Sequence, residues 1–154
     1  MAQIKKILCA VDFSEHSPAV AEYARVMAQG LGAKIVCLYV APSLSQYVGF
    51  HVPPSSIENF VGEIVTGAES TMSAFLNENL QGVTTEGHVV TGYAAEEIIG
   101  MAGKEGVDMI IMGTHGRKGI DRILFGSVAE KVVKGATEKP RQYVAPVEAQ
   151  GSVF

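Results

Sequence analysis

The stretch that decides the reading is Asp108-Met109-Ile110-Ile111-Met112-Gly113-Thr114-His115-Gly116-Arg117-Lys118-Gly119-Ile120-Asp121-Arg122-Ile123-Leu124-Phe125-Gly126-Ser127-Val128. An apolar run, Met109 to Met112, stops at Gly113. Glycines recur at Gly116, Gly119 and Gly126, and Ser127 opens an amphipathic segment. The pattern predicts a buried strand, a glycine-rich loop and a helix N-terminus. Glycine lacks a Cβ and tolerates positive φ, so backbone N–H groups in such a loop can approach an anion closely. The helix start adds unpaired N–H groups and the positive end of the dipole. Arg117, Lys118 and Arg122 stand here against Asp121 alone, in a chain of formal charge −4. A basic glycine loop in an acidic protein points to a phosphate site.

Working outward, strand and helix patterns alternate. Ile4 to Val11 is an apolar run of the kind a central strand shows when both faces are buried. Pro18 suits the first turn of a helix carrying Val20, Ala24, Met27, Ala28 and Leu31, with Gly30 and Gly32 at its end. Lys34 to Val40 is a second buried strand. Residues 41–56, with Pro42, Pro53 and Pro54, form the longest irregular stretch. A helical stripe then runs through Ile57, Phe60, Val61, Ile64, Val65, Ala68, Met72, Phe75 and Leu76. Val83 to Val90 is a third strand, and Ala94 to Gly103 a helix with Ile98, Ile99 and Ala102 inward. After the glycine loop, Val128, Val132, Val133 and Ala136 mark a helix from Ser127, and Pro140 to Val147 a last strand. Such alternation means βαβ units and a mostly parallel sheet.

The spacing Gly113-x2-Gly116-x9-Gly126-Ser127 resembles the ATP-binding signature of the universal stress protein family. Ile4 to Ser14 resembles that family's first strand with its terminal Asp12, and Val107 to Gly116 its fourth strand and loop. The resemblance implies an α/β, Rossmann-like single domain over residues 1–147 with a tail at 148–154. It implies a five-stranded parallel sheet in the order 3-2-1-4-5 with helices on both faces. The strand order then reverses between the first and fourth strands, where open parallel sheets bind ligands. The implied ligand is ATP or ADP, with Mg²⁺ held through the phosphates and no metal held by protein side chains. The implied nucleotide-binding residues are Ala10, Val11, Asp12, Val40, Met112, Gly113, Gly116, Arg117, Gly126, Ser127 and Val128. Asp12 would accept from ribose hydroxyls, Val40 would lie beside the adenine, and the glycine loop and helix start would hold the phosphates.

The residues themselves leave alternatives. Ser127 with Glu130 is also a capping-box pattern. Asp12 also suits a turn cap with Ser14. Arg117, Lys118 and Arg122 also read as solvated loop charges. His16, His51, His88 and His115 show no metal-ligand spacing. No Walker A motif is present, and no arginine-finger arrangement for phosphoryl transfer is recognisable. Related nucleotide α-hydrolases grip phosphate with a Ser-Gly-Gly-type loop after the first strand. Here that position reads Asp12-Phe13-Ser14-Glu15-His16, which counts against adenylation chemistry. The expected function is therefore a stress-response or signalling module whose nucleotide state alters contacts with a protein partner. The rivals are a slow ATP-hydrolysing or nucleotide-transforming enzyme and a nucleotide-free dimerisation module.

Composition bounds the rest. With 154 residues, 47% hydrophobic and 18% charged, the chain can bury a core without disulfides or metals. An acidic balance argues against nucleic acid or an anionic membrane as partner. No apolar stretch approaches the roughly 20 residues of a membrane span, and the N-terminus lacks a signal-peptide pattern. Cys9 and Cys37 fall in buried strands and read as core residues, so a cytoplasmic protein is expected. A homodimer through the last, edge strand is also expected, although Arg141, Gln142 and Pro146 depart from the family's apolar strand there.

Overall fold

Five strands form a parallel sheet in the order β3-β2-β1-β4-β5. They are β1 (Lys6–Val11), β2 (Lys34–Ala41), β3 (Thr85–Thr91), β4 (Met109–Gly113) and β5 (Tyr143–Val147). The helices are α1 (Ser17–Leu31), α2 (Pro54–Asn79), α3 (Ala94–Glu105) and α4 over residues 128–135. This computed structural model describes residues 3–41, 54–113, 128–135 and 143–147, and side chains over these except at 54–61 and 143–147.

The central strands are apolar on both faces because both faces are covered. Ile7, Cys9, Val11, Ile35, Cys37 and Ile111 pack with α1 and α2 through Val20, Ala24, Ala28, Met72 and Phe75. Leu8, Ala10, Leu38, Ile110 and Met112 pack with α3 and α4 through Ile98, Ala102, Ala129 and Val132. The expected architecture and strand order are thus present. Cys9 and Cys37 sit opposite each other in the β1–β2 register, free and fully buried. The bond to the Cys37 side chain, then burial, pushes the Cys9 thiol well above its ordinary value. It is a neutral core group, not a nucleophile.

Several boundaries differ from the sequence reading, each for a local reason. α2 starts at Pro54, three residues before the apolar stripe begins, because proline is tolerated in a first helical turn. Met27 and Leu31 are exposed rather than inward; α1 buries Ser17, Val20, Ala21, Ala24 and Ala28 instead. These small side chains let α1 lie close on β1 and β4. β3 starts at Thr85: Gly82 turns the chain at φ 85, and the Thr85 hydroxyl donates to the Val83 carbonyl (3.2 Å). Gly32 and Gly106 end α1 and α3 in the left-handed conformation, each donating back into its helix. β5 accommodates Pro146 opposite Met112, as an edge strand permits.

Candidate functional site

β1 and β4 lie side by side at the point where the strand order reverses, with Ala10 opposite Met112. Their carboxyl ends frame an open depression lined by Ala10, Val11, Asp12, Ser14, His16, Ser17, Val20 and Gly113. It is shallow and open to solvent, so these residues make the floor of a site. Four of the residues expected from sequence, Ala10, Val11, Asp12 and Gly113, meet there. Met112, one residue earlier, is fully buried in the second core cluster.

Asp12 is half-buried and organises the turn that follows β1. Its Oδ1 accepts from the Ser14 N–H (2.9 Å) and from the Ser17 hydroxyl (3.0 Å). The turn-capping alternative is therefore real. Both bonds land on Oδ1, so Oδ2 takes no hydrogen bond from the described residues. Ser14 continues the turn: its Oγ accepts from the His16 N–H (3.3 Å) and its carbonyl from the Ser17 N–H (3.1 Å). Between them Phe13 adopts φ 59, a left-handed conformation costing an aromatic residue about 1–3 kcal/mol. Its ring is held against Tyr39 (centroids 4.6 Å apart) and Phe75 (5.7 Å). Aromatic packing thus substitutes for the glycine such a turn would favour.

Val40 lies near the end of β2, half-buried and packed on the second cluster. The β1–β2 register sets Tyr39 beside Val11, so Val40 stands one residue further along the same end of the sheet. Val128 is half-buried at the start of α4 as described and packs on the second cluster. Gly116, Arg117, Gly126 and Ser127 lie outside the described residues. Ser14, His16 and Ser17 were not among the expected site residues. Their only sequence signal was a Ser/His-rich stretch between the first strand and Pro18.

A second polar cluster had no sequence signal of the kind sought. His88 Nε2 lies 3.6 Å from Glu86 Oε2 and 3.8 Å from Glu105 Oε1. The amino end of the sheet also holds Asp108, whose Oδ2 accepts from the Lys5 N–H (2.9 Å) and the Lys6 N–H (3.2 Å). Lys6 Nζ donates to the Glu105 carbonyl (3.1 Å).

Comparison with known proteins agrees with this architecture. A family model described as the universal stress protein family matches residues 3–138. Universal stress protein MJ0531 of Methanocaldococcus jannaschii is 34% identical over 134 residues, 86% of this chain and 77% of its own. The solved structure of the universal stress protein UspA from Lactobacillus plantarum superposes with a TM-score of 0.75 at 21% identity, covering 95% of this chain and 99% of that one. A universal stress protein in complex with cAMP superposes at 0.67 with 18% identity, covering 95% and 98%. One from Archaeoglobus fulgidus in complex with dAMP superposes at 0.60 with 18% identity, covering 95% and 98%. No described helix is long and apolar enough to cross a membrane.

Proposed function

Because this chain belongs to the universal stress protein family, we propose that it binds an adenine nucleotide at the carboxyl ends of β1 and β4. The observation that carries the reading is the position of Asp12 and Gly113 on one depression at the strand-order reversal. An anion-binding loop joined to a helix start belongs beside such a crevice. In this reading Asp12 Oδ2 accepts from a ribose hydroxyl while Oδ1 keeps the turn. The backbone near Val40 receives the base. Gly113, Gly116, Gly126, Ser127 and Val128 would offer backbone to the phosphates, Arg117 would add charge, and Mg²⁺ would be held through the phosphates rather than by protein side chains. The nucleotide is ATP or ADP, and its bound state alters contacts with a protein partner in the cytoplasm. No catalytic residue is assigned.

Calorimetry with ATP, ADP, AMP and GTP tests the reading, with one adenine nucleotide per chain and affinity rising with phosphate number expected. No binding up to millimolar nucleotide overturns it. A second reading, a monophosphate ligand, is favoured by the relatives that hold cAMP and dAMP. It predicts instead that cAMP or AMP binds more tightly than ATP. A homodimer through β5 belongs to the same proposal, and a monomer mass by light scattering at high concentration removes it.

A further inference from the structure

We propose that Glu86, His88 and Glu105 form a binding site for a divalent transition-metal cation of the zinc class, at the end of the sheet away from the nucleotide depression. The arrangement begins with strand alternation. Gly87 of β3 faces α2, where an added Cβ would meet Met72 Cγ at 2.6 Å, and Val89 packs in the same cluster. Glu86 and His88 therefore share the opposite face, the one α3 covers. α3 runs back toward the amino ends of the strands and delivers Glu105 from its last turn. The three ligand atoms all lie within 4.8 Å of one another.

An ion-paired His88 between two carboxylates is the ordinary explanation for such a group, and the distances are those of ion pairs without hydrogen bonds. N–H···O bonds fall within roughly 2.7–3.2 Å, whereas His88 Nε2 is 3.6 and 3.8 Å from its two carboxylate neighbours. That nitrogen itself is buried, although the imidazole as a whole is 36% exposed, and it has no hydrogen-bond partner among the described residues, a costly state for a polar atom. Two carboxylate oxygens and an imidazole nitrogen thus gather within 4.8 Å of one another with no hydrogen bond from the imidazole nitrogen to either carboxylate. A tetrahedral cation with bonds of about 2.0–2.2 Å holds its ligand atoms about 3.3–3.6 Å apart. The two separations from His88, 3.6 and 3.8 Å, lie at or just beyond that range, and the two carboxylate oxygens, within 4.8 Å of each other, close the remainder by side-chain rotation. The carboxyl-terminal turn of α3 adds the negative end of a helix dipole. Lys6 donates its Nζ to the Glu105 carbonyl, and Lys104 is also in the last turn of α3.

Imidazole with carboxylate suits Zn²⁺ and its first-row neighbours, whereas Mg²⁺ and Ca²⁺ prefer all-oxygen sets. Glu86 is largely exposed, so water completes the coordination. The bound ion would pin the edge strand β3 to the end of α3. The sequence expectation of no protein-held metal looked for helical ligand spacing and so passed over the pair Glu86 and His88.

Calorimetric titration of ZnCl₂ into the untagged, metal-free full-length chain tests the site, with the visible spectrum of the Co²⁺-loaded protein as a second readout. The expected result is one Zn²⁺ per chain at micromolar concentration or tighter, unaffected by millimolar Mg²⁺, with a raised thermal midpoint. His88→Gln and Glu105→Gln should each weaken Zn²⁺ by at least about tenfold, since even indirect metal partners cost that much. Glu86→Gln, at an exposed position, gives the same answer should either of these fail to fold. Absence of Zn²⁺ binding below millimolar concentration overturns the proposal. So does wild-type affinity in the folded His88→Gln or Glu86→Gln protein.

Discussion

Asp12 and Asp108 stand at opposite ends of two neighbouring strands and serve different ends. Asp12 follows β1, and its bonds go to Ser14 and Ser17, within its own turn. Asp108 precedes β4, and its bonds reach back to Lys5 and Lys6 at the start of β1. The amino end of the sheet is thus closed by hydrogen bonds between segments far apart in sequence. The Lys6 side chain on the Glu105 carbonyl adds another. At the carboxyl end the Gly92 N–H donates to the Ala41 carbonyl (3.0 Å) between β3 and β2, but nothing described there bridges β1 to β4 beyond the ladder. The strand-order reversal sets the crevice at the carboxyl end, and the Asp108 bonds tie β1 to β4 at the other. A carboxylate tied to distant backbone stabilises the fold; one tied only to its own turn keeps a face for a ligand.

The largest expected effect tests whether phosphates belong to the open end at all. Gly126→Val should abolish nucleotide binding while lowering stability little. A phosphate on the amides that follow residue 126 leaves no room for a side chain at that position. A variant that melts early yet binds ATP normally when folded assigns this glycine to the fold and removes phosphates from that loop.

Asp12→Ala comes next. Loss of a charged acceptor for ribose costs about 1.5–3 kcal/mol, or roughly tenfold to a hundredfold in affinity. The contrast between ATP and 2′-deoxy-ATP sharpens the assignment. If wild type and variant treat the two nucleotides alike, the ribose contact lies elsewhere. The matching change, Asp108→Ala, should do the reverse. It strips two backbone donors of a charged acceptor, and water replaces it readily only at Lys5, whose bond is exposed. A loss of about 1–3 kcal/mol in denaturant unfolding, with unchanged nucleotide affinity, is expected. An affinity loss without a stability loss would erase the distinction between the two ends.

The same contrast explains what was legible in the sequence. β1, β2 and β4 were readable because burial on both faces leaves near-continuous apolar runs, Ile7–Val11, Ile35–Val40 and Met109–Met112. Asp12 and Gly113 were readable because strand ends are marked by a change of residue type. The start of α2 was not, because Pro54 reads as punctuation whether it opens a helix or breaks one. Met27 and Leu31 misled because apolar character does not reveal whether a neighbour covers the residue. Phe13 hid its left-handed turn, since no glycine marks it and the compensation comes from Tyr39 and Phe75 on other elements. Glu105 could not be joined to Glu86 and His88 until α3 was seen to run back along the sheet.

The smallest expected effect decides between two readings of Asp12 itself. Ser17 is buried, and its hydroxyl donates to the same Oδ1 that holds the Ser14 amide. Ser17→Ala removes one of the two bonds fixing the carboxylate and leaves Oδ2 and the charge in place. The lost hydrogen bond is worth about 1 kcal/mol, which lowers the thermal midpoint of a chain this size by about 2–4 °C. If Asp12 meets the nucleotide through Oδ2, the Ser14 amide still orients it, and affinity for ATP should fall by less than about threefold. If Asp12 acts only by shaping the turn, the two variants disturb one structure and should weaken nucleotide to a similar degree. Measuring both affinities alongside both midpoints separates the cases. A Ser17→Ala protein as impaired in binding as Asp12→Ala would reduce Asp12 to a turn residue, as Asp108 is a staple.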